Sequence, residues 1–173
     1  MKIRLEPVTA TTMSDYIAVG TKSYKEHYLH LWEGENPTPY IEKSFTADIV
    51  KTELEDANMV HFLVKTDDII LGIVKLVKDC DLDELSAEDA LLIEKIYLLR
   101  EFSGKGYGKK TIQLIEAYAK DLKKKIVWLD TMKKANAINF YLKRGFQIKR
   151  ESELTLEGVK PSESGMWILT KSI

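Results

Sequence analysis

A loop in which glycines alternate with lysines is the feature of this sequence best suited to chemistry. It spans residues 102–110, which run FSGKGYGKK after an apolar segment. Glycines let a backbone approach a ligand closely, and the free N–H groups at the start of a helix attract an anion. The glycines and neighbouring lysines are Gly104, Gly106, Gly108, Lys105, Lys109 and Lys110. The loop predicts a binding site for a phosphate-bearing ligand.

The spacing of these glycines does not fit two common nucleotide-binding motifs. A dinucleotide fingerprint needs G-x-G-x-x-G, and the place of its third glycine holds Lys109. A Walker loop needs G-x-x-x-x-G-K-[ST], but the interval from Gly104 to Gly108 is one residue short and Lys110 replaces the Ser or Thr. An ordinary glycine-rich turn between a strand and a helix remains the alternative to a phosphate site.

Glu94 is a carboxylate in an otherwise apolar segment. Strand alternation puts it on the same face as Leu92, Ile96 and Leu98. A carboxylate on such a face is costly unless it is paired or functional. If it faces a cleft, loss of water would raise its pKa and let it take a proton from an amine. The alternative is an ion pair with a lysine on a neighbouring strand.

Other polar residues are better explained by packing or exposure. Cys80 is the one cysteine, so the chain has no internal disulfide and no C-x-x-C pair. His27 and His30 have the i, i+3 spacing of a helical metal pair, but no third ligand cluster accompanies them, and we predict no metal site. Helical spacing alone makes Tyr141 a packed helix residue.

The elements that must position these residues follow from hydrophobic periodicity. Strands are predicted at 3–8, 61–66, 69–78, 91–99, 125–131, 146–152 and 166–172. Helices are predicted from residue 14 into the 24–32 region, after an N-cap at Thr46, around 112–122, and over 136–144. Pro37 and Pro39 interrupt the first helical region, and Asp67-Asp68 turns between two strands. Gly145 suits the end of the last helix.

The order β-α-α-β-β-β-α-β-α-β-β predicts an α/β fold with a mixed, mostly antiparallel sheet flanked by helices. Its 173 residues, without repeat or linker, indicate a single domain over 1–173. Hydrophobic residues make up 45% and charged residues 31%, which excludes a disordered chain. No apolar run is long enough to span a membrane, and the N-terminus lacks a signal-peptide core, so we expect a cytoplasmic protein.

Two segments resemble the GCN5-related N-acetyltransferase (GNAT) superfamily. Residues 103–108, SGKGYG, are similar to its acetyl-CoA loop, Q/R-x-x-G-x-G/A. Residues 136–146, NAINFYLKRGF, are similar to its second signature, a helix ending in FY-x-K-x-GF. The predicted element order is also that of the superfamily, so the resemblance covers nearly the whole chain. Within the superfamily, the segments IEKIYL and NAINFY most resemble bacterial spermidine/spermine N-acetyltransferases.

This resemblance implies transfer of an acetyl group from acetyl-CoA to a primary amine by direct attack in a ternary complex. In similar proteins the strand before the loop splays from its neighbour and pairs with the pantetheine arm, and Tyr141 matches the tyrosine that protonates the departing sulfur. Glu94 is the candidate base. The implied acetyl-CoA contacts are Ile96, Tyr97, Leu98, Ser103, Gly104, Lys105, Gly106, Tyr107, Gly108, Lys109, Lys134, Asn136, Tyr141 and Lys143.

Two positions depart from the superfamily pattern. Ser103 occupies the first loop position, where Gln or Arg is usual, so one polar contact to the pyrophosphate is shorter or absent. Lys134 lies seven residues before Tyr141, where an Asn is frequent, and Asn136 follows two residues later. The departure puts the Asn contact to the pantetheine in question, and Lys134 could serve a phosphate instead.

The net charge of −1 hides two opposed regions. Residues 95–150 hold 15 basic and 4 acidic residues, whereas the remainder holds 11 basic and 23 acidic ones. The basic region contains the glycine loop, which suits the phosphates of CoA. The acidic remainder includes the segment 79–94 and the predicted acceptor contacts Glu33, Glu35 and Glu94, which suit a small cationic amine such as a polyamine. Solvated loop charges are the alternative.

A nucleic-acid partner fits the sequence poorly, whereas another acceptor or a non-catalytic role is compatible with it. Basic residues are not interleaved with stacking aromatics, which argues against a nucleic acid. A different acceptor, such as a protein N-terminus, an amino acid or an antibiotic amine, stays open. So does a catalytically silent domain that senses acyl-CoA. The sequence leaves open whether the chain forms a homodimer.

Overall fold

The computed structural model of the chain describes residues 2–67 and 69–173. The strands are β1 (Ile3–Pro7), β2 (Met59–Thr66), β3 (Ile69–Val77), β4 (Ala90–Leu98), β5 (Ile126–Met132), β6 (Gln147–Glu153) and β7 (Gly165–Ser172). The helices are α1 (Met13–Tyr28), α2 (Thr38–Ser44), α3 (Ala47–Glu55), α4 (Tyr107–Asp121) and α5 (Ala137–Leu142). Within these described ranges the strands form one sheet of seven, in the order β1-β2-β3-β4-β5-β7-β6.

The α/β class and the mixed, mostly antiparallel sheet are confirmed. The predicted order lacks one element, because α2 lies between the first helix and α3. Pro37 is the N-cap of α2 and Pro39 lies in its first turn, where a missing N–H costs nothing. These prolines therefore separate two helices. The predicted N-cap is confirmed, since the Thr46 side chain accepts the N–H of Ile49 at 3.4 Å. Asp68, in the predicted turn, lies outside the described residues.

The two faces of the sheet carry separate hydrophobic clusters, as the two-residue alternation of strands requires. On one face, Leu63 and Ile73 pack with buried residues of α1 and α3. On the other, Phe62 and Val74 pack with residues of α4 and α5, among them Ile115. Helices α1 to α3 thus cover one face, and α4 and α5 cover the other.

The sheet is open where its one parallel pair of strands, among the described pairs, comes apart. Strands β4 and β5 are paired only from Ala90 opposite Ile126 to Leu92 opposite Trp128. Beyond that point β5 stays paired with β7 as far as Met132, while β4 stays paired with β3 as far as Leu98. The two strands therefore diverge and leave a gap through the sheet that joins its two faces.

Strand β4 also contains a bulge at Glu94. Ile93 lies opposite Leu76 and Lys95 lies opposite Lys75, so Glu94 has no partner residue in β3. An extra residue bends a strand and interrupts the alternation of its side chains. Ile96 and Leu98 pack in the cluster under α4 and α5, whereas Glu94 contacts Lys75, which binds Glu53 of α3, so the expectation that Glu94 shares a face with Ile96 and Leu98 is wrong.

Candidate active site

A cleft of about 470 Å³ occupies the gap between β4 and β5. Its walls come from both faces of the sheet: tyrosines of α1 and α2 on one side, and α5 on the other. The ends of β4 and β5 form the rim where the strands separate. A cleft that passes between two strands can admit one ligand from each face, which is the arrangement that a two-substrate reaction needs.

Among the described residues, the edge of β4 that faces this cleft carries backbone polar groups that are not paired with another strand. The N–H of Leu99 donates to the Leu71 carbonyl at 2.9 Å, so by alternation the polar groups of Tyr97 face β3 and those of Ile96 and Leu98 face the gap. The Leu98 carbonyl accepts the Nε2–H of His27 at 3.0 Å. In the described part of the chain, no strand pairs with β4 on this side beyond Leu92. An extended ligand with amide groups can pair there.

The glycine loop leads from the end of β4 into α4. Gly104 and Gly106 have φ angles of 74° and 82°, in the left-handed region that favours glycine, and a Cβ on either would have no atom within 4 Å. Gly106 is the N-cap of α4, so the N–H groups of the first helical turn lack intrahelical acceptors. Lys105 and Lys109 are exposed beside them. The geometry and charge fit a diphosphate.

Tyr141 projects from α5 into the cleft with its ring 8% exposed. The ring packs against Phe140 and Phe146, with centroids 5.2 Å and 5.6 Å away. Burial, followed by the charges of Tyr28 and Asp130, raises the pKa of Tyr141 above its ordinary value of 10.0. Its hydroxyl is therefore protonated at neutral pH and is available as a hydrogen-bond donor and acid.

Glu94 lines the cleft and is held by two buried lysines. Its carboxylate contacts Lys75 and Lys95, each at 2.9 Å. Lys75 also binds Glu53 at 2.6 Å, and Glu53 accepts the Nε2–H of His61 at 2.8 Å. Burial raises the pKa of Glu94, but Lys95 and Lys75 outweigh it and the net pKa is lowered. The expected rise in pKa is wrong, and the ion-pair alternative describes the geometry.

Comparison with known proteins identifies the family to which this chain belongs. The model of the acetyltransferase (GNAT) family matches residues 22–146, which include β4, the glycine loop and Tyr141. The chain belongs to the GNAT family. This confirms the prediction of an acetyl-CoA-dependent acyltransferase, with acetyl-CoA as its cosubstrate.

Relatives of this GNAT protein are distant in sequence and close in fold. An uncharacterized N-acetyltransferase of Lactobacillus delbrueckii subsp. lactis is 25% identical over 144 residues, 83% of each chain. The PaiA N-acetyltransferase of Thermoplasma acidophilum, solved with coenzyme A, is 18% identical, with a TM-score of 0.76 over 100% of both chains. The spermidine/spermine N-acetyltransferase SpeG of Vibrio cholerae, solved with manganese ions, is 14% identical, with a TM-score of 0.69 over 99% of this chain and 92% of that one.

The residues that depart from the GNAT pattern lie around the glycine loop and α5. Ser103 is exposed in the loop. Lys134 forms an ion pair with Glu163 at 3.0 Å, so a phosphate at Lys134 would compete with that carboxylate. Asn136 is the N-cap position of α5, and Lys143 follows its last residue. Neither the Asn136 side chain nor that of Lys134 lines the cleft.

The acidic residues predicted to bind the acceptor are not all near the cleft of this GNAT protein. Glu33 and Glu35 belong to an exposed 3-10 turn after α1 and do not line the cleft. The acidic loop 79–89 is bound by basic residues elsewhere in the chain. The pairs are Lys124–Asp79, Lys125–Asp89, Lys149–Glu84 and Arg150–Asp83. These loop charges therefore stabilise contacts between elements rather than facing the cleft.

The cleft also contains an aromatic wall and two carboxylates, Asp130 and Glu153, that were not predicted from the sequence. Tyr24 stacks on Tyr40 with ring centroids 4.0 Å apart, and the Tyr40 and Tyr97 hydroxyls lie 2.6 Å apart. Tyr28 and Asp130 complete this part of the lining. The available signal for Asp130 was a single carboxylate within the apolar run 125–131, two residues after Trp128.

Two absences hold for residues 2–67 and 69–173. No group of three or more His, Cys, Asp or Glu residues there is arranged to hold a metal ion. None of the helices there is long and apolar enough to cross a membrane.

Cys80 is half-buried, and burial raises the pKa of its thiol, so Cys80 is a poor nucleophile at neutral pH.

Proposed function

We propose that this GNAT enzyme transfers the acetyl group of acetyl-CoA to a primary amine of a polyamine such as spermidine or spermine. The observation that carries the proposal is the composition of the β4–β5 cleft. One side offers free β4 backbone and the Tyr141 hydroxyl, which suit a thioester, while the other offers tyrosine rings and carboxylates, which suit a cation. The two substrates would meet where the strands separate.

The proposed acetyl-CoA site follows β4 into the glycine loop and α4. The backbone of Ile96 and Leu98 would pair with the amide groups of the pantetheine arm. The first turn of α4 and its lysines would bind the phosphates, since helix N-termini and cations both stabilise anions there. The proposed contacts are Ile96, Tyr97, Leu98, Ser103, Gly104, Lys105, Gly106, Tyr107, Gly108, Lys109, Lys134, Asn136, Tyr141 and Lys143.

The proposed mechanism is direct attack of the amine on the thioester. The amine must lose a proton before its lone pair can attack. A β4 backbone N–H within 96–98 would stabilise the negative charge that develops on the carbonyl oxygen. As the C–S bond breaks, its electron pair goes to sulfur, and the Tyr141 hydroxyl supplies the proton that makes the free thiol. The raised pKa of Tyr141 keeps this proton in place until sulfur becomes basic.

Support for a cationic acceptor comes from the cleft itself. Asp130 and Glu153 line it together with five tyrosines, and aromatic faces and carboxylates both attract ammonium groups. Glu94 also lines it but is neutralised by Lys75 and Lys95, and Lys43 is a further cation of the lining. A solved structure with the same fold is a spermidine/spermine N-acetyltransferase. Contact of the acceptor with Glu33 and Glu35, which lie outside the cleft, stays a prediction.

The wider setting of the enzyme also stays at the level of proposal. We propose that residues 1–173 act as a single acetyltransferase domain, in the cytoplasm and without nucleic acid or membrane partners. A homodimer stays a prediction that sedimentation would test.

The test is release of free thiol from acetyl-CoA in the presence of a panel of amines. We expect turnover with spermidine and spermine at a kcat/KM at least about tenfold above that with amino acids or a peptide N-terminus. Turnover on amino acids alone would overturn the polyamine proposal. Tight acetyl-CoA binding, measured by calorimetry, without turnover on any amine would instead indicate a non-catalytic acyl-CoA sensor.

A further inference from the structure

Asp130 is a carboxylate of the cleft that no cation holds. It lies in β5, two residues beyond the last β4–β5 pair, and opposite Ile168 of β7. Among the described lysines, arginines and histidines, none has a nitrogen within 4 Å of its carboxylate. Solvent reaches the side chain through the cleft, while the cleft walls surround it on the other sides. The side chain is exposed to solvent there, so its carboxylate is accessible to a ligand that enters the cleft.

The surroundings of Asp130 are those of a site for an organic cation. Its charge raises the pKa of Tyr28, Tyr40 and Tyr141, so these hydroxyls lie within electrostatic range of it. The Tyr40 ring stacks on the Tyr24 ring, and the Tyr40 hydroxyl is hydrogen-bonded to the Tyr97 hydroxyl. These two contacts fix the orientation of the Tyr40 ring. The tyrosine hydroxyls near the carboxylate can accept hydrogen bonds from an ammonium group.

Glu94 lies on the opposite wall of the cleft, and its carboxylate, unlike that of Asp130, is bound by cations of the protein. Two buried lysines occupy its carboxylate, and both are about 3 Å away. One of them, Lys95, is 4% exposed and lies over the Tyr40 ring, with its Nζ 5.9 Å from the centroid. Glu94 therefore neutralises charges of the protein itself and is already committed, whereas Asp130 is free to meet a charge brought by a ligand.

We infer that Asp130 binds the ammonium group of the acceptor and accepts its proton, while Glu94 acts as a structural ion-pair residue. This inference rests on the proposed function. The ammonium gives one proton to the Asp130 carboxylate, and the neutral amine then forms the N–C bond with its lone pair. The C–S bond breaks, and sulfur takes the Tyr141 proton. The nitrogen gives its second proton back to Tyr141, and Asp130 releases its proton to water. One proton is released overall.

The surroundings of Asp130 raise its pKa, which favours transfer of a proton from the ammonium group to its carboxylate. Partial desolvation, followed by the charge of Glu94, raises the pKa of Asp130 above its ordinary value, and Lys95 lowers it by less. The ionisable groups that line the cleft with it are Tyr24, Tyr28, Tyr40, Lys43, Glu94, Lys95, Tyr97, Tyr141 and Glu153. Of the cleft carboxylates, Asp130 has a raised pKa and Glu94 a lowered one, so the surroundings favour a bound proton on Asp130 and the ionised form of Glu94.

The experiment compares Asp130→Asn with wild type and with Asp121→Asn. Asp121 ends α4, is exposed and does not line the cleft, so its variant is a control for the loss of one negative charge. Calorimetry measures the Kd of spermidine for the enzyme saturated with CoA, which needs no turnover. Thiol release measures kcat/KM for spermidine against pH. The Kd of CoA shows whether each variant is folded.

We expect Asp130→Asn to raise the Kd of spermidine at least about tenfold and to lower kcat/KM at least about 100-fold, with CoA affinity unchanged. The acidic limb of the kcat/KM profile should be lost in this variant and kept in Asp121→Asn. An unchanged spermidine Kd, or an acidic limb that persists, would overturn the inference even if the wild type acetylates polyamines. Asp130-dependent binding without turnover would support the ammonium-binding role of Asp130 and reject its base role together with the transferase proposal. No spermidine binding by wild type would overturn the inference.

Discussion

At the scale of single residues, the Tyr141 hydroxyl is the group we expect to protonate the leaving sulfur. Tyr141→Phe removes it and keeps the ring between Phe140 and Phe146. Loss of a general acid should lower kcat about 100-fold or more, while the Kd of acetyl-CoA stays within about twofold. Because burial raises the pKa of Tyr141, wild-type activity should show no alkaline loss from this group below about pH 10.

A second tyrosine provides the control for this substitution. Tyr118 of α4 is also partly buried, with its ring 5.4 Å from that of Phe62, but it does not line the cleft. Tyr118→Phe should leave kcat within about twofold of wild type. A Tyr141→Phe enzyme with wild-type kcat would show that another donor, such as water, protonates the sulfur.

Glu94 is expected to matter for stability because it neutralises Lys75 and Lys95. Glu94→Gln should cost about 2 kcal/mol of unfolding free energy near pH 7, since it leaves buried positive charge without its partner. The pKa of Glu94 is lowered in the folded protein, so its stabilisation is full above about pH 4.5 and disappears as the pH falls through the lower folded value. The difference between variant and wild type should therefore shrink in acid.

Urea unfolding at neutral pH and at a series of pH values below 4.5 measures both quantities. The same variant should keep the shape of the wild-type kcat/KM profile, because the structure gives Glu94 a counter-ion role. A stability difference that stays constant throughout this acid range would contradict the counter-ion role, and a profile that loses its acidic limb in Glu94→Gln alone would return the base role to Glu94.

At the scale of elements, periodicity predicted the strands and most helices but not the geometry of the cleft. Alternation puts Glu94 beside Leu92, and only the register against β3 reveals the extra residue between Ile93 and Lys95. The helix α2 was missed because Pro37 and Pro39 indicate a break and also suit a helix start. Bulges and gaps depend on which strands become neighbours, which one segment of sequence does not contain.

Close approach of β3 to β4 is another feature that depends on residues far apart in the sequence. Gly72 lies opposite Leu98, and a Cβ at Gly72 would lie 2.1 Å from the Tyr97 carbonyl oxygen, a backbone atom that has little freedom to move. Gly72→Ala should therefore push β4 away and lower the unfolding free energy by about 2 kcal/mol or more. Because the displaced residues include the proposed pantetheine contacts, CoA affinity should also fall.

Gly34→Ala is the matched control. Gly34 has a positive φ of 59°, but a Cβ there would have no atom within 4 Å. We expect a loss of about 1 kcal/mol from backbone strain alone, with unchanged CoA affinity. Equal effects of both substitutions in thermal melts and calorimetry would show that β3 and β4 accommodate a Cβ at Gly72 without displacement of β4.

At the scale of the whole molecule, residues of the basic region form ion pairs with residues of the acidic remainder. Part of the basic region binds the acidic loop, as the bidentate contact of Arg150 with Asp83 at 2.8 and 3.0 Å illustrates. Lys105 and Lys109, beside the glycine loop, stay exposed. Composition predicted the asymmetry, but the pairing joins residues that lie far apart in sequence, so it could not be predicted from charge counts. The region of positive electrostatic potential near the proposed acetyl-CoA site is therefore smaller than the charge counts of the sequence indicate.

This pairing leads to a prediction that separates the acidic loop from the acceptor site. Asp83 and Glu84 are bound to Arg150 and Lys149, and neither lines the cleft. The double variant Asp83→Asn, Glu84→Gln should keep the KM for spermidine within about twofold at low ionic strength, because surface charges remote from a site contribute little to binding. A rise of about tenfold in KM, reversed by added salt, would instead show that the loop steers the polycation towards the cleft.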